Sequence, residues 1–92
     1  MALQFSWDRG KARSNASKHG VSFEEAASAF GDPLSLTIDD PDHSQGEKRY
    51  ILVGETYRHK LVVVSHTERG NDIRIISARI ATRLERKTYE ED

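Results

Sequence analysis

Four basic side chains near the C-terminus are the residues of this sequence best suited to hold a phosphate group. They are Arg79, Arg83, Arg86 and Lys87, with Glu85 as the one acid among them. Guanidinium groups gathered at the end of a strand can bind phosphate through paired hydrogen bonds. On a helix, positions three and four apart share one side, so the last three cations would form a basic face. On spacing alone, such a face is more often only solvated.

The segment 72–89 must position these side chains, and its pattern predicts a strand that leads into a helix. Four isoleucines between positions 73 and 80 favour a strand near the middle of a sheet. Thr82 followed by Glu85 matches a capping box, so we expect the helix to begin there. A purely solvated role suits Arg79 less well than it suits the cations of the helix, because the expected neighbours of Arg79 on its strand face are mostly apolar. That face would carry Arg79 together with Ile73, Ile75 and Ser77.

The composition indicates one globular domain spanning residues 1–92. Of the 92 residues, 32% are charged and 36% are hydrophobic, which is typical of a folded soluble chain. No apolar run approaches the roughly 18 residues of a membrane span, and the N-terminus lacks a signal-peptide pattern. We therefore expect a cytoplasmic protein with no membrane contact. The absence of cysteine excludes disulfides, thiolate chemistry and the commonest structural zinc sites.

The charge distribution argues against a strongly basic nucleic-acid binder. The net charge is −1 and the pI about 6.4, although a local basic patch remains compatible with these values. The segment 39–47 carries four acids and no Lys or Arg. His43 lies among Asp39, Asp40 and Asp42, but their spacing matches no standard metal-ligand pattern. We expect a solvated loop here and no metal site.

Hydrophobic periodicity predicts an α+β domain with the order β-α-α-β-β-β-β-α. Asp8 and Ser22 are suited to cap the two N-terminal helices, and Gly20 to end the first one. Short connections between the later strands favour an antiparallel sheet. We expect helices against one face of this sheet, which leaves the other face as a candidate groove. The predicted strands cover 3–7, 34–39, 48–56, 61–67 and 72–80.

Three stretches of the sequence, at 5–33, 39–54 and 62–91, carry a family resemblance. Their most specific parts are KHGVSFEEA at 18–26 and RIISAR at 74–79. Either fragment alone would be weak, but both at this separation in so short a chain are specific. In this order and spacing they resemble the BrnT family, the toxin half of a bacterial type II toxin–antitoxin pair.

The resemblance implies a RelE-like α+β fold and an endoribonuclease that inhibits translation by cutting RNA, with no cofactor. It also implies an antitoxin partner of the BrnA type, which neutralises the toxin and binds DNA through a ribbon-helix-helix domain. The sequence shows no DNA-binding element of that kind, so contact with DNA would be indirect, through the antitoxin.

Metal-free RNA cleavage uses the 2′-hydroxyl as nucleophile and needs a base, an acid and cations that stabilise the charge on phosphorus. Under the family resemblance, Arg79 and Arg83 would hold the scissile phosphate. Lys18, Arg86 and Lys87 are further candidates for substrate binding.

The base and the acid are harder to assign. His66 and Glu68 would end a strand facing the arginines, although Glu68 is also suited to a turn or to an ion pair with an arginine. His19 would lie at a helix C-terminus, where the dipole favours a protonated ring, and capping that helix is at least as good an explanation. Tyr89 is suited to stack on a base, or simply to pack in the core. His43 and His59 fall in loops, and we expect them to be solvated.

A non-catalytic partner-binding module is the alternative to a nuclease. In that case the same arginines would anchor an acidic helix of the antitoxin, and the pair would act in operon repression. Arg79→Ala separates the two hypotheses, because a nuclease loses toxicity but keeps its partner, whereas a binding module loses both.

Overall fold

The computed structural model describes residues 3–43 and 46–91, which form a five-stranded sheet and three α-helices. The strands are β1 (Gln4–Ser6), β2 (Leu36–Asp39), β3 (Arg49–Glu55), β4 (Leu61–Arg69) and β5 (Asp72–Ile80). The helices are α1 (Arg9–His19), α2 (Phe23–Ser28) and α3 (Arg83–Glu90), with short 3-10 helices at Ala29–Gly31 and Pro41–His43. The predicted α+β class is confirmed. Over the described ranges, no helix combines the length and apolarity needed to cross a membrane.

Local sequence signals set the ends of the helices. The Asp8 side chain accepts a hydrogen bond from the Lys11 N–H at 2.9 Å, which caps α1. Gly20 ends the helix in the left-handed region, at φ 71°, where an L side chain would be strained. Thr82 and Glu85 form the complete capping box predicted for α3. Each of these boundaries follows from the residues next to it.

At the start of α2 only half of a capping box forms. The Ser22 hydroxyl accepts from the Glu25 N–H at 3.0 Å. The Glu25 carboxylate accepts instead from the Thr56 hydroxyl at 2.9 Å, and it lies 3.8 Å from Lys60 Nζ. This buried glutamate therefore joins α2 to the β3–β4 turn.

The sheet is mixed, and the expectation of an antiparallel sheet is wrong for β1. The strand order is β1-β5-β4-β3-β2. Strands β2 to β5 are antiparallel, whereas β1 pairs with the start of β5 in parallel, from Gln4 opposite Asp72 to Ser6 opposite Arg74. A short hairpin connection fixes the direction of the next strand. Strand β1 has no such constraint, because two helices and three strands separate it from β5.

The core lies between the helices and one face of the sheet. At Gly54 the packing leaves no room for a side chain, because an added Cβ atom would lie 2.9 Å from the Ala29 carbonyl oxygen. Of the three α-helices in the described part of the chain, α3 lies against the opposite face, which we call the open face. The buried apolar core consists of Val21, Phe23, Ala26, Ala29, Leu52, Val62, Val64, Ile73, Ile75 and Ala78.

A β-bulge at Ile76 decides which way Arg79 faces. Ser65 pairs with Ser77 but His66 pairs with Ile75, which leaves Ile76 as an extra residue in β5. An extra residue inverts the alternation of side chains along a strand. The expectation that Arg79 shares a face with Ile73 and Ile75 is therefore wrong, because those isoleucines face the core. Arg79 lies on the open face with Ser77.

Asn15 of α1 takes the place of a strand beside the second half of β5. Strand β1 pairs with β5 only as far as Arg74. Beyond it, the Asn15 side chain accepts from the Ala78 N–H at 3.0 Å and donates to the Ala78 carbonyl at 2.7 Å. It also donates to the Val21 carbonyl at 3.1 Å, with 7% of its surface exposed. One buried carboxamide thus fixes α1 against the strand that carries Arg79.

Candidate functional site

A groove of about 350 Å³ lies on the open face of the sheet. It contains two guanidinium groups, an imidazole, a carboxylate and two hydroxyls on an apolar floor, which suits a polar, anionic ligand. We call it the open-face groove. Its lining consists of Asp40, His43, Arg49, Ile51, Val63, Ser65, Ile76, Ser77 and Arg79.

Arg79 is held in this groove by α3. Its Nη1 and Nη2 atoms donate to the two carboxylate oxygens of Glu85, each at 2.8 Å, and Nη1 also lies 3.4 Å from the Ile80 carbonyl. A guanidinium has five N–H donors. Within the described residues, the Nε–H and the second Nη2 hydrogen have no acceptor. These two form a side-on fork that matches two oxygens of a phosphate, so Arg79 is both fixed and able to bind an anion.

The pair is charged over the whole physiological range of pH. The hydrogen bond from Arg79 lowers the pKa of Glu85 to about 2, against the opposing effect of burial. In return, the hydrogen bond to Glu85 raises the pKa of Arg79. The bond that Glu85 accepts from the Thr82 N–H, at 2.8 Å, further favours its ionised form.

Acid should therefore weaken the protein through Glu85. Its folded-state pKa is depressed below the ordinary 4.5, so its contribution is complete above that pH and is lost as the pH falls towards 2. Allowing for solvent screening, we expect Glu85→Gln to cost about 1 kcal/mol of unfolding free energy at pH 6 and almost nothing near pH 2. Urea denaturation at both pH values measures this difference, with the exposed Glu24→Gln as control. An equal cost at both pH values would contradict it.

Arg49 and a His43–Asp40 pair complete the polar lining of the groove. Arg49 begins β3 and is half-buried. His43 ends the 3-10 helix Pro41–His43, and its Nδ1 lies 3.1 and 3.0 Å from the two carboxylate oxygens of Asp40. The imidazole side chain is 67% exposed and the Asp40 side chain 12%. The loop therefore presents an accessible ring that is oriented by a mostly buried carboxylate.

Lys18 and His19 adjoin this site. With Lys11 and Ser14 they line a hollow of about 480 Å³ beside α1. Ile76 and Ser77 line both this hollow and the open-face groove. The predicted residues of α1 therefore lie on a surface continuous with Arg79.

His66 and Glu68 lie on the opposite face of the sheet from Arg79. His66 is fully buried, 4.8 Å from Phe30 and 5.8 Å from Tyr50 between ring centroids. Its Nε2 lies 3.0 Å from a carboxylate oxygen of Glu68. Successive residues of a strand point to opposite faces, and Val63 and Ser65 are the residues of β4 in the groove. The expectation that His66 and Glu68 face the arginines is therefore wrong, because the sheet separates them from Arg79.

The other cations of α3 lie outside the lining of the groove. Arg83 is exposed in the first turn of the helix. Arg86 lies 3.8 Å from Glu90, and Lys87 lies 3.9 Å from Glu91. Exposed pairs of this kind contribute little to stability, and their surroundings agree with the solvated alternative.

Tyr89 anchors the end of α3. Its hydroxyl donates to Asp32 at 2.6 Å, and Asp32 also accepts from the N–H groups of Leu34 and Glu55. Burial opposes ionisation of Asp32, but these hydrogen bonds together lower its pKa. The same hydrogen bond raises the pKa of Tyr89 to about 12. This hydrogen bond favours a structural role for Tyr89. Stacking of its ring on a base stays a prediction.

Tyr89→Phe should loosen α3 without unfolding the protein. The substitution removes one hydrogen bond to a carboxylate and leaves the ring in place, so we expect a loss of about 1 to 2 kcal/mol in unfolding free energy. Urea denaturation measures it. Tyr57→Phe is the matched control, because Tyr57 is 65% exposed. Equal stability of Tyr89→Phe and the wild type would show that the hydroxyl contributes nothing.

Residues 7–85 match the family described as "Ribonuclease toxin, BrnT, of type II toxin-antitoxin system". The chain belongs to the BrnT family. The resemblance seen in the sequence is confirmed, and with it the general role of a ribonuclease toxin that has RNA as substrate and an antitoxin as partner.

A solved BrnT structure shares the fold. The crystal structure of the Brucella abortus ribonuclease toxin BrnT matches with a TM-score of 0.59 and 24% identity, over 89% of this chain and 100% of that one. A comparison with curated proteins finds no match. The BrnT family match ends at residue 85, so Arg79, Arg83 and Glu85 lie within it and the three other α3 candidates, Arg86, Lys87 and Tyr89, lie beyond it.

Sequence reasoning missed three polar residues of the groove in this BrnT chain. Arg49 was not among the predicted site residues, because a charged residue at the start of a strand is usually solvent-exposed. Asp40 and His43 were treated as solvated members of an acidic loop. The available signal was their spacing of three, which on a helical turn brings two side chains to the same side.

Proposed function

We propose that this chain is a metal-independent endoribonuclease that cleaves RNA in the open-face groove and thereby inhibits translation. The observation that carries the proposal is Arg79, fixed by Glu85 with a side-on fork left for a phosphate, in the same groove as Arg49. An RNA phosphodiester is an anion with two non-bridging oxygens, and this fork matches them.

The arginines would act on the transition state. When the 2′-oxygen attacks phosphorus, charge grows on the non-bridging oxygens before the bond to the 5′-oxygen breaks. Donors that are already in place stabilise this charge, and losing one typically costs about 10²- to 10³-fold in rate. We assign this role to Arg79 and Arg49. Arg83 is exposed in the first turn of α3 and outside the lining of the groove, and we assign it to the attraction of the RNA backbone.

The remaining candidates have less direct roles. Lys18 and His19 would bind the RNA strand where it leaves the groove along α1. Arg86 and Lys87 would attract RNA through charge alone. We assign no part in the reaction to His66 or Glu68, because both lie behind the sheet, where the exposed Glu68 carboxylate pairs with the buried imidazole.

The partner follows from the family. We propose an antitoxin of the BrnA type with a ribbon-helix-helix DNA-binding domain, so that any contact with DNA is indirect, and we place both proteins in the cytoplasm. We also assign the domain to the RelE-like folds, because α1 and α2 cover one face of its sheet and a groove with two arginines lies on the other face, beside α3.

One observation favours the alternative of a partner-binding module. Ile38 and Leu84 are 60% and 73% exposed, and both line a cavity of about 280 Å³ between α3 and the open face. Exposed apolar side chains around a cavity are typical of protein-binding surfaces. A toxin that its antitoxin neutralises needs such a surface as well.

Expression in a bacterial host tests the proposal. Inducing the wild type should stop growth and degrade RNA visible on a gel, while Arg79→Ala at the same expression level should do neither. Harmless, folded wild-type protein with intact RNA would contradict the nuclease. The partner-binding module would then be the better account.

A further inference from the structure

The His43–Asp40 pair has the geometry of an oriented base. Both oxygens of the Asp40 carboxylate face the Nδ1 atom of His43, at 3.1 and 3.0 Å. An ionised carboxylate can only accept hydrogen bonds, so Nδ1 carries the hydrogen when the ring is neutral. The lone pair is then on Nε2, at the far side of the ring. Fixing one ring nitrogen in this way selects the tautomer in which the other can take a proton.

The position of this pair distinguishes it from the other histidines. His43 lines the same groove as Arg49 and Arg79. His66 is buried behind the sheet, His59 is in the β3–β4 turn with its side chain 85% exposed, and His19 belongs to the adjoining hollow. Over residues 3–43 and 46–91, His43 is the histidine that shares a cavity with both guanidinium groups.

We propose that His43 is the general base of RNA cleavage and that Asp40 is its positioning residue. The proposal rests on the ribonuclease function proposed above and names the group that the reaction requires. His43 Nε2 removes the proton of the 2′-hydroxyl as the 2′-oxygen forms its bond to phosphorus. The bond from phosphorus to the 5′-oxygen breaks, its electron pair stays on that oxygen, and water supplies the proton. The products are a 2′,3′-cyclic phosphate and a 5′-hydroxyl, and the imidazolium returns its proton to solvent.

Kinetics of His43→Ala on a short RNA test the proposal. General bases contribute about 10²- to 10⁴-fold, so we expect kcat to fall by about a hundredfold or more, with KM within about threefold of wild type. Because the ring is exposed, the variant should fold. Added imidazole should restore part of the lost rate, which it would not do for a merely structural histidine. His59→Ala is the matched control and should keep the wild-type rate.

Asp40→Asn tests the positioning role. An asparagine can donate its amide hydrogen to Nδ1 and so favour the wrong tautomer. We expect kcat to fall by about tenfold or more with little change in KM. In a His43→Ala background the same substitution should cost several-fold less than in the wild type, because the part of its effect that passes through the ring is already lost.

The outcomes separate this inference from the nuclease itself. If wild type cleaves and His43→Ala keeps a rate within about threefold of it, the nuclease stands and His43 is not its base. If the rate falls but imidazole restores nothing and KM rises, His43 binds RNA instead, which also overturns the inference. If wild-type protein cleaves no RNA, the proposed function fails and the base assignment fails with it.

Discussion

Arg79→Ala is expected to lower kcat/KM for RNA cleavage by about a hundredfold or more, because the groove loses its fixed phosphate fork. Arg79→Lys should recover only part of this loss. A lysine restores the charge, but it cannot donate to Glu85 and to a phosphate with the same planar geometry. The measurement is the rate of cleavage of a short RNA by each purified variant.

A matched arginine provides the control for this prediction. Arg58 is exposed in the β3–β4 turn, over the ring of Tyr57 and outside the lining of the groove. Arg58→Ala should keep the wild-type rate. Circular dichroism should show that Arg79→Ala is folded, because the Thr82–Glu85 capping box remains. An Arg79→Ala rate close to that of Arg58→Ala would exclude Arg79 from the reaction.

Asn15→Ala is expected to have the largest effect on stability. It removes three buried hydrogen bonds and leaves the Ala78 N–H and carbonyl without their partner. We expect a loss of about 3 kcal/mol in unfolding free energy. For a domain of this size, that is a fall of about 15 °C in melting temperature. Urea and thermal denaturation measure both quantities.

The control for Asn15→Ala is Ser17→Ala, an exposed position on the same helix, which should stay within about 0.5 kcal/mol of wild type. Because α1 lies against the strand that carries Arg79, folded Asn15→Ala should also cleave RNA more slowly. A variant as stable as Ser17→Ala would show that the Asn15 carboxamide does not hold the β5 edge.

The helix boundaries could be predicted because their causes are local. Asp8 and Thr82 cap the helices that follow them through atoms three residues away, so the residue types alone indicate the result. The antiparallel hairpins followed from short connections in the same way. The parallel pairing of β1 did not, because nothing near β1 in the sequence indicates its partner.

The position of the candidate site residues could be predicted only in part, because it depends on contacts distant in sequence. Arg79 could be chosen as a candidate from its residue type and its place at the end of a strand. The face of the sheet on which it lies depends on the bulge at Ile76, which is set by pairing with β4. The sequence offered His66 as a base and His43 as a loop residue. Burial against Phe30 removes the first from the groove, and the turn at Asp40 brings the second into it. Neither effect can be deduced from the residue types alone.

The most direct test of the central claim is to incubate the purified wild-type protein with RNA in the presence of EDTA and to analyse the fragment ends. Cleavage in the groove by the 2′-hydroxyl predicts fragments with 2′,3′-cyclic phosphates and 5′-hydroxyls, at a rate that EDTA does not change. Activity that EDTA abolishes, or fragments with 5′-phosphates and 3′-hydroxyls, would contradict the account.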